Sequence, residues 1–154
     1  MPETIQTIAP LCATLRRKGK KLVLATGFFD LLHAEHRNFL RLAKQAGDIL
    51  IVAVESDERA RALKGEGRPV ETQSLRCQKL APYADYVIAL PPDFDHFEAY
   101  DSLVSAVRPQ VFAVSSHTDH LKSKTFLVEK YGGKLTIVHN WNPSISTTKQ
   151  LQSS

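Results

Sequence analysis

The chain has 154 residues, of which 43% are hydrophobic, and it carries a formal net charge of +4. This length and composition are typical of one globular domain with a proper core. No apolar run reaches the roughly 18 residues that a membrane-spanning helix needs, so no membrane partner is predicted. The mild positive charge suits a phosphate-bearing ligand at least as well as a nucleic acid.

One dense basic run, R-R-K-G-K-K (16–21), precedes a predicted strand. No aromatic residues are interleaved for base stacking, so we interpret it as a helix end and predict no nucleic-acid partner. The N-terminus lacks the charged and then apolar order of a signal peptide. Cys12 and Cys77 have no CxxC partner and are interpreted as reduced thiols. Together these features predict a cytoplasmic protein.

The first elements follow clear hydrophobic patterns. A helix is predicted over 4–17, followed by a short apolar strand at 21–25. Residues 34–46 place apolar side chains at helical spacing and stop at Gly47. Residues 49–54 are apolar at every position, which is typical of a strand buried on both faces of a parallel sheet.

The rest of the chain continues this alternation. The predicted helices are 57–63, 72–81, 94–107, 119–130 and a closing helix at 146–152, and the predicted strands are 86–90, 111–114 and 135–138. This order with short connections predicts an α/β fold, a single doubly wound, Rossmann-like, five-stranded parallel sheet with helices on both faces. We expect one domain over 1–154, with an N-terminal helix (1–20), a core that carries the motifs (21–149) and a tail (150–154).

The chemistry is predicted to lie in the loop after the first strand, T-G-F-F-D-L-L-H-A-E-H (26–36), because doubly wound sheets bind ligands beyond the carboxyl ends of their strands. His33 and His36 are three residues apart at a helix start, where backbone N–H groups favour an anion. Gly27 would let the backbone pass close to the ligand. The pattern favours a triphosphate site. Capping or surface histidines, or a zinc site with Glu35, are the alternatives.

Three segments carry a family resemblance. The 26–36 segment resembles the G-x-F-D-x-x-H-x-G-H signature of the cytidylyltransferase-like nucleotidyltransferases. Residues 51–70, I-V-A-V-E-S-D-E-R-A-R-A-L-K-G-E-G-R-P-V, are similar to the second strand and following loop of the heptose-1-phosphate adenylyltransferases. S-I-S-T-T-K (144–149) resembles the closing I-S-T-T motif of the family.

The resemblance implies an activity. A nucleoside monophosphate would move from ATP or CTP to a phosphorylated small-molecule acceptor, such as a sugar phosphate, with release of pyrophosphate. Mg²⁺ would accompany the triphosphate, with no residue predicted as a dedicated metal ligand. A homodimer is also expected from the resemblance.

The resemblance further implies roles for individual residues. His33 and His36 would contact the nucleotide phosphates, Lys64 would neutralise phosphate oxygens, and Arg76 would reach the β- and γ-phosphates or the acceptor. The implied substrate-binding residues are Asp30 and Arg68, and the implied nucleotide-binding residues are Thr26, Gly27, Phe28, Phe29, Ser146, Thr147 and Thr148. Outside the shared motif order, Lys64 and Arg68 would be interpreted as ordinary loop charges, and Asp30 as a turn residue that bonds local amides.

The sequence departs from the family pattern at two places. Glu35 stands where the family has glycine, so a carboxylate is expected either to repel the triphosphate or simply to stabilise the helix start. The stretch 111–120 lacks the lysine of the family's K-G-x-D-like segment, with Ser115 near its place. Its H-T-D-H end (117–120) is interpreted as a metal cluster or a polar helix-start loop.

Three hypotheses remain open at this stage. The first is a nucleotidyltransferase, with glycerol-phosphate cytidylyltransferase and archaeal-type FAD synthase as variants within the class. The second is a catalytically impaired nucleotide-binding relative, in which Glu35 and the lost lysine have ended turnover. The third is a nucleic-acid-binding module, which only the basic run favours.

Overall fold

The computed structural model describes residues 2–140. The predicted closing helix, with Ser146, Thr147 and Thr148, and the predicted tail lie outside the described residues. The strands are β1 (Leu22–Gly27), β2 (Ile49–Val54), β3 (Tyr86–Ala89), β4 (Val111–Ser115) and β5 (Lys134–His139). The helices are α1 (Ile5–Arg17), α2 (Ala34–Gln45), α3 (Asp57–Lys64), α4 (Gln73–Leu80), α5 (Phe97–Val107) and α6 (Leu121–Lys130), with a short 3-10 turn at Ala81–Tyr83.

The five strands form one parallel sheet in the order β3-β2-β1-β4-β5. The two most apolar strands, β1 and β2, lie at its centre, where side chains on both faces are shielded from water. Helices cover both faces of the sheet, so the predicted doubly wound, Rossmann-like α/β architecture is confirmed. No helix within residues 2–140 combines the length and the apolar character needed to cross a bilayer.

Each face of the sheet has its own core. On one face α1, α5 and α6 pack with side chains such as Ile8, Leu103 and Leu127. On the other face α2 and α4 bury side chains such as Phe39 and Leu80. Because two separate layers of helices cover the sheet, its carboxyl edge is the side left for a ligand.

The helix starts differ from the sequence prediction at two places. Helix α5 begins at Phe97 instead of residue 94, since Phe94 lies in a turn and buries its ring 4.5 Å from that of Tyr100. Helix α6 begins at Leu121 instead of residue 119, since His120 has a left-handed backbone (φ 57°) that cannot continue a helix. Both differences lengthen loops at the carboxyl edge of the sheet.

The sheet opens between β1 and β4, where the strand order reverses. Strand β1 pairs with β2 from Leu22 through Gly27, but it pairs with β4 only at Val23 and Leu24. The two strands therefore separate beyond Leu24, toward their carboxyl ends. This separation produces the crevice in which doubly wound sheets bind ligands.

Candidate functional site

A cavity of about 290 Å³ occupies the crevice between the ends of β1 and β4. Its walls come from the loop after β1, the start and end of α3, helix α5, the loop after β4 and the first turn of α6. The predicted site residues that line it are Thr26, Gly27, Phe28, Phe29, Asp30, His36 and Lys64. The structure thus brings together the predicted nucleotide-binding loop and Lys64, the predicted phosphate-neutralising residue.

The two histidines form the N-terminal cap of α2. The Nδ1 atom of His33 accepts the backbone N–H of Glu35 at 3.2 Å, and the Nδ1 atom of His36 accepts the backbone N–H of His33 at 3.2 Å. The two imidazole rings stack with centroids 3.8 Å apart. The expectation of amides available to an anion is therefore wrong for His33 and Glu35, because the imidazoles already accept those N–H groups. Of the two histidines, His36 lines the cavity and His33 does not.

The protonation state of His36 follows from this geometry. Burial, the largest cause, together with the neighbouring His33 and Lys64 lowers the pKa of His36 to about 3. Burial also lowers the pKa of His33. Because Nδ1 of His36 accepts a hydrogen bond, the neutral ring carries its proton on Nε2. At neutral pH, His36 is therefore a neutral hydrogen-bond donor.

Asp30 ties the loop after β1 to the loop before α4. Its carboxylate accepts the backbone N–H groups of Val70 at 2.8 Å and Glu71 at 3.0 Å, and Nε of Arg68 at 3.2 Å. Asp30 therefore bonds backbone amides that are 40 and 41 residues away in the sequence. Arg68 is buried against Asp30 and is not among the residues that line the cavity, so its predicted contact with substrate stays a prediction.

Arg76 is fully buried, and each of its three guanidinium nitrogens donates a hydrogen bond to a protein oxygen. Its Nη1 donates to the carbonyl of Phe28 at 2.7 Å, its Nη2 to Asp57 at 2.6 Å, and its Nε to the carbonyl of Glu71 at 3.1 Å. Arg76 is not among the residues that line the cavity, and its predicted contact with the β- and γ-phosphates or the acceptor stays a prediction. Arg76 fixes the loop that lines the cavity.

Gly27 is required by an aromatic side chain of its own loop. A Cβ atom at Gly27 would lie 2.9 Å from Cε2 of Phe29, so the ring of Phe29 occupies the space that a side chain at this position would need. Phe29 has a left-handed backbone (φ 55°), which turns its ring onto His36 and Phe39. The neighbouring Phe28 lies under Lys64, whose Nζ is 4.8 Å from the ring centroid. These contacts fix one wall of the cavity.

Glu35 turns away from the predicted anion site. Its carboxylate is buried, and its Oε2 lies 2.9 Å from Nε2 of His139 at the end of β5. It is absent from the cavity lining. The predicted repulsion between Glu35 and a bound triphosphate therefore loses its geometric basis.

Several cavity residues escaped the sequence prediction. Lys124 comes from the first turn of α6, is buried, and donates from Nζ to the hydroxyl of Thr118 at 2.7 Å. It brings an ammonium group into the cavity, whose wall also includes Ser115, where the family lysine is missing. Glu55 and Arg59 enter from the β2–α3 connection and α3. The sequence does carry a signal for Glu55 and Arg59. They lie directly after the buried strand β2 and in the first turn of the helix that follows it, where doubly wound sheets bind ligands.

The loop after β4 completes the cavity. His117, Asp119 and His120 line it together with Thr118. Within residues 2–140, no group of three or more histidine, cysteine, aspartate or glutamate side chains has the arrangement of a metal site. These residues give the cavity a polar wall at the carboxyl end of β4.

A doubly wound α/β domain with a cationic cavity at the reversal of its strand order defines the class of a phosphate- or nucleotide-binding domain. The chain belongs to the cytidylyltransferase-like family, which it matches over residues 24–152. The family resemblance predicted from the three motifs is confirmed.

Individual relatives agree with this assignment. The bifunctional protein HldE of Desulfatibacillum aliphaticivorans is 31% identical over 152 residues, which are 96% of this chain and 30% of the relative. The bifunctional protein HldE of Wolinella succinogenes is 40% identical over 111 residues, which are 71% of this chain and 22% of the relative. The chain thus spans less than a third of the length of these curated relatives.

Solved structures share the fold. The lipopolysaccharide core biosynthesis protein from Thermoplasma volcanium superimposes with a TM-score of 0.62 and 26% identity, covering 79% of this chain and 97% of that one. The pantoate-beta-alanine ligase from Francisella tularensis superimposes with a TM-score of 0.64 and 13% identity, covering 92% of this chain and 67% of that one. At 13% identity, the second similarity shows the fold alone.

Proposed function

We propose that this chain is a nucleotidyltransferase that moves a nucleoside monophosphate from ATP or CTP to a phosphorylated small molecule and releases pyrophosphate. The observation that carries the proposal is the cavity at the β1–β4 separation, with His36, Lys64 and Lys124 on its wall, in a chain of the cytidylyltransferase-like family. Neutral donors and fixed cations are the groups that stabilise charge on a transferring phosphoryl centre.

The reaction requires no covalent intermediate with the protein. A phosphate oxygen of the acceptor attacks the α-phosphorus in line, a new P–O bond forms, and the bond from the α-phosphorus to the oxygen bridging to the β-phosphorus breaks. The electron pair leaves with pyrophosphate. The protein acts by positioning the two substrates and by stabilising the charge that develops on the phosphate oxygens. In this proposal His36 donates from Nε2, while Lys64, Arg59 and Lys124 neutralise phosphate oxygens.

Mg²⁺ is part of the proposal. The cavity wall includes the carboxylate side chain of Asp119, and oxygen ligands are those that Mg²⁺ prefers. A triphosphate supplies most of the ligands itself, so the side chains present fit a magnesium ion bound with the nucleotide. When bound, the ion would neutralise charge on the phosphate oxygens.

A sugar phosphate is the proposed acceptor. Residues 51–70 resemble the heptose-1-phosphate adenylyltransferases, and one structural relative is a lipopolysaccharide core biosynthesis protein. By the same resemblance we propose a cytoplasmic homodimer, with Ser146, Thr147 and Thr148 contributing to the triphosphate site. Nucleic acids and membranes are not among the proposed partners.

The alternative is a nucleotide-binding relative without turnover. The feature that favours this inactive relative is the negative charge of Glu35 inside the histidine motif. That carboxylate is bound to His139 outside the cavity lining, and Lys124 supplies a buried ammonium group near the loop that lacks the family lysine. These two contacts favour the active enzyme.

A pyrophosphate-release assay tests the proposal. ATP and CTP would each be combined with Mg²⁺ and with heptose 1-phosphate, other sugar 1-phosphates or glycerol 3-phosphate. We expect release that depends on both nucleotide and acceptor, together with a nucleotide-dependent rise in melting temperature, since a ligand that binds only the folded state stabilises it. ATP binding without turnover on any acceptor would support the inactive relative instead.

A further inference from the structure

Glu55 is a buried carboxylate to which the proposed mechanism assigns no role. It follows β2 directly, is 6% exposed, and lines the cavity. Its Oε1 atom is buried and has no hydrogen-bond partner among residues 2–140. Buried carboxylates in folded proteins are nearly always hydrogen-bonded, so an unsatisfied one that lines a cavity points to a ligand group.

The surroundings of Glu55 are cationic. Arg59, Lys124, Arg76 and Lys64 are close enough to lower its pKa, yet burial is the larger effect and leaves that pKa raised. The Nε atom of Arg59 is also buried without a partner among the described residues. A carboxylate and a guanidinium that share a cavity wall, each with an unsatisfied atom, are placed to bind different parts of one ligand.

The charges indicate which part of the ligand Glu55 can bind. Phosphate groups are repelled by a carboxylate and attracted by Arg59 and Lys124. An ammonium group on the ligand would be repelled by the same cations. A hydroxyl group carries no net charge and donates the hydrogen bond that Oε1 lacks. A neutral polyol close to a phosphate therefore fits this wall.

A second cavity adjoins this wall. It has a volume of about 240 Å³ and shares Arg59, Tyr100, His120 and Lys124 with the first cavity. Glu55 lines the first cavity together with these four residues, and its charge is the next cause, after burial, of the raised pKa of Tyr100. A ligand bound by Arg59 and Lys124 can thus extend from one cavity into the other past Glu55.

We propose that Glu55 is a specificity-determining residue, which binds a hydroxyl group of the acceptor beside the phosphate held by Arg59 and Lys124. The proposal rests on the proposed function, since it assigns the acceptor of that reaction to a polyhydroxylated phosphate. It excludes acceptors that carry an amino group at the same position.

The test combines Glu55→Gln with deoxy analogues of heptose 1-phosphate. For the parent acceptor, we expect Glu55→Gln to lower kcat/KM about 10- to 100-fold, the range for a hydrogen bond to a charged group. Removing the contacted hydroxyl should lower kcat/KM of the native chain similarly, and the two changes together should cost no more than either alone. Glu58→Gln is the matched control, because Glu58 is half exposed on helix α3, three residues after Glu55, and its substitution should leave kcat/KM unchanged.

Two readouts separate specificity from other roles of Glu55. The Kd of ATP with Mg²⁺, measured by calorimetry, should change less than about threefold in Glu55→Gln, because the contact is to the acceptor. The melting temperature should stay the same or rise, because burial, the largest effect on Glu55, disfavours its charged form, and glutamine removes that charge while keeping the shape of the side chain. Additive losses with every deoxy analogue, or a large loss of ATP or Mg²⁺ affinity, would overturn the proposal.

A binding experiment distinguishes failure of the proposed function from failure of the role proposed for Glu55. If the native chain releases no pyrophosphate with any acceptor, heptose 1-phosphate would be titrated into the protein saturated with a non-hydrolysable ATP analogue. Weaker binding to Glu55→Gln than to the native chain would support the role of Glu55. Equal binding to both proteins, or no binding to either, would overturn it.

Discussion

At the scale of single residues, the histidine pair serves structure and site at once. The Nδ1 atoms of His33 and His36 satisfy two backbone N–H groups at the start of α2, and one ring also faces the cavity. An unsatisfied helix start is costly, so a histidine that caps it is held in one orientation. The same contact fixes the tautomer and directs the remaining N–H of His36 away from the backbone.

The substitution His36→Asn separates these two roles. The asparagine Oδ1 can replace Nδ1 as acceptor for the N–H of His33, while the donor at Nε2 is lost. We expect turnover to fall about 100-fold, the scale of removing one preorganised charge-stabilising donor. Pyrophosphate release measures this loss, and the melting temperature at neutral pH checks that the cap has been kept. Full activity in His36→Asn would remove His36 from the mechanism.

The same variant predicts a pH effect. In the unfolded chain His36 takes up a proton near its ordinary pKa of 6.5, whereas in the folded chain it does so only near pH 3. The unfolded state therefore binds more protons between these values, and stability is lost as the pH falls below about 6.5. Urea unfolding of His36→Asn should show a smaller loss between about pH 7 and about pH 5 than the native chain does. An equal loss would contradict the lowered pKa.

At the scale of elements, Arg76 holds three segments together. From α4 it binds the carbonyl of Phe28 after β1, the side chain of Asp57 at the start of α3, and the carbonyl of Glu71. Asp30, in the loop after β1, accepts the backbone N–H groups of Val70 and Glu71, which precede α4. The loop that carries the family motif is thus positioned by contacts far away in sequence.

We expect Arg76→Met to destabilise the fold by about 3 kcal/mol, because it leaves buried carbonyls and a partly buried carboxylate without their partner. The free energy of unfolding in urea measures the effect. Arg61→Met is the matched control: Arg61 is half exposed and forms an ion pair with the half-exposed Glu58, so its loss should cost less than about 0.5 kcal/mol. A similarly small cost for Arg76→Met would show that the buried network adds little stability.

At the scale of the whole molecule, the sheet consists of two halves that meet along β1 and β4. The ladder between these strands is short, and other contacts connect the halves. One is the Glu35–His139 pair, which links α2, the crossover between β1 and β2, to the edge strand β5. Both side chains are largely buried, so the pair is shielded from solvent screening.

A double-mutant cycle with Glu35→Gln and His139→Ala measures this link. We expect a coupling energy of about 1–2 kcal/mol in the free energy of unfolding, the range for a shielded, charge-assisted hydrogen bond. We also expect Glu35→Gly to leave ATP affinity no tighter than in the native chain, because the carboxylate is not directed at the cavity. Additive single effects, or tighter ATP binding by Glu35→Gly, would contradict this geometry.

The sheet could be predicted because its signals are local. The uninterrupted apolar run of β2 and the short connections identified the parallel architecture, and loop 26–36 identified one wall of the site. The remaining walls depend on tertiary packing. Lys124 enters from a helix turn with no motif, Glu55 is distinguished by an unsatisfied atom, and Arg76 looks like a ligand contact in sequence but lies under the loop that it supports.

The early end of the β1–β4 ladder makes this domain suited to redesign. Beyond Leu24, no residue of β4 pairs with β1 within residues 2–140, and the cavity is lined there by the end of β4 and by the loop that follows it. Residues 115–120 belong to neither hydrophobic core, so substitutions there can be screened for new acceptors while both cores stay intact. At these positions acceptor selectivity can change with little effect on folding stability, which is the property that directed evolution of an enzyme needs.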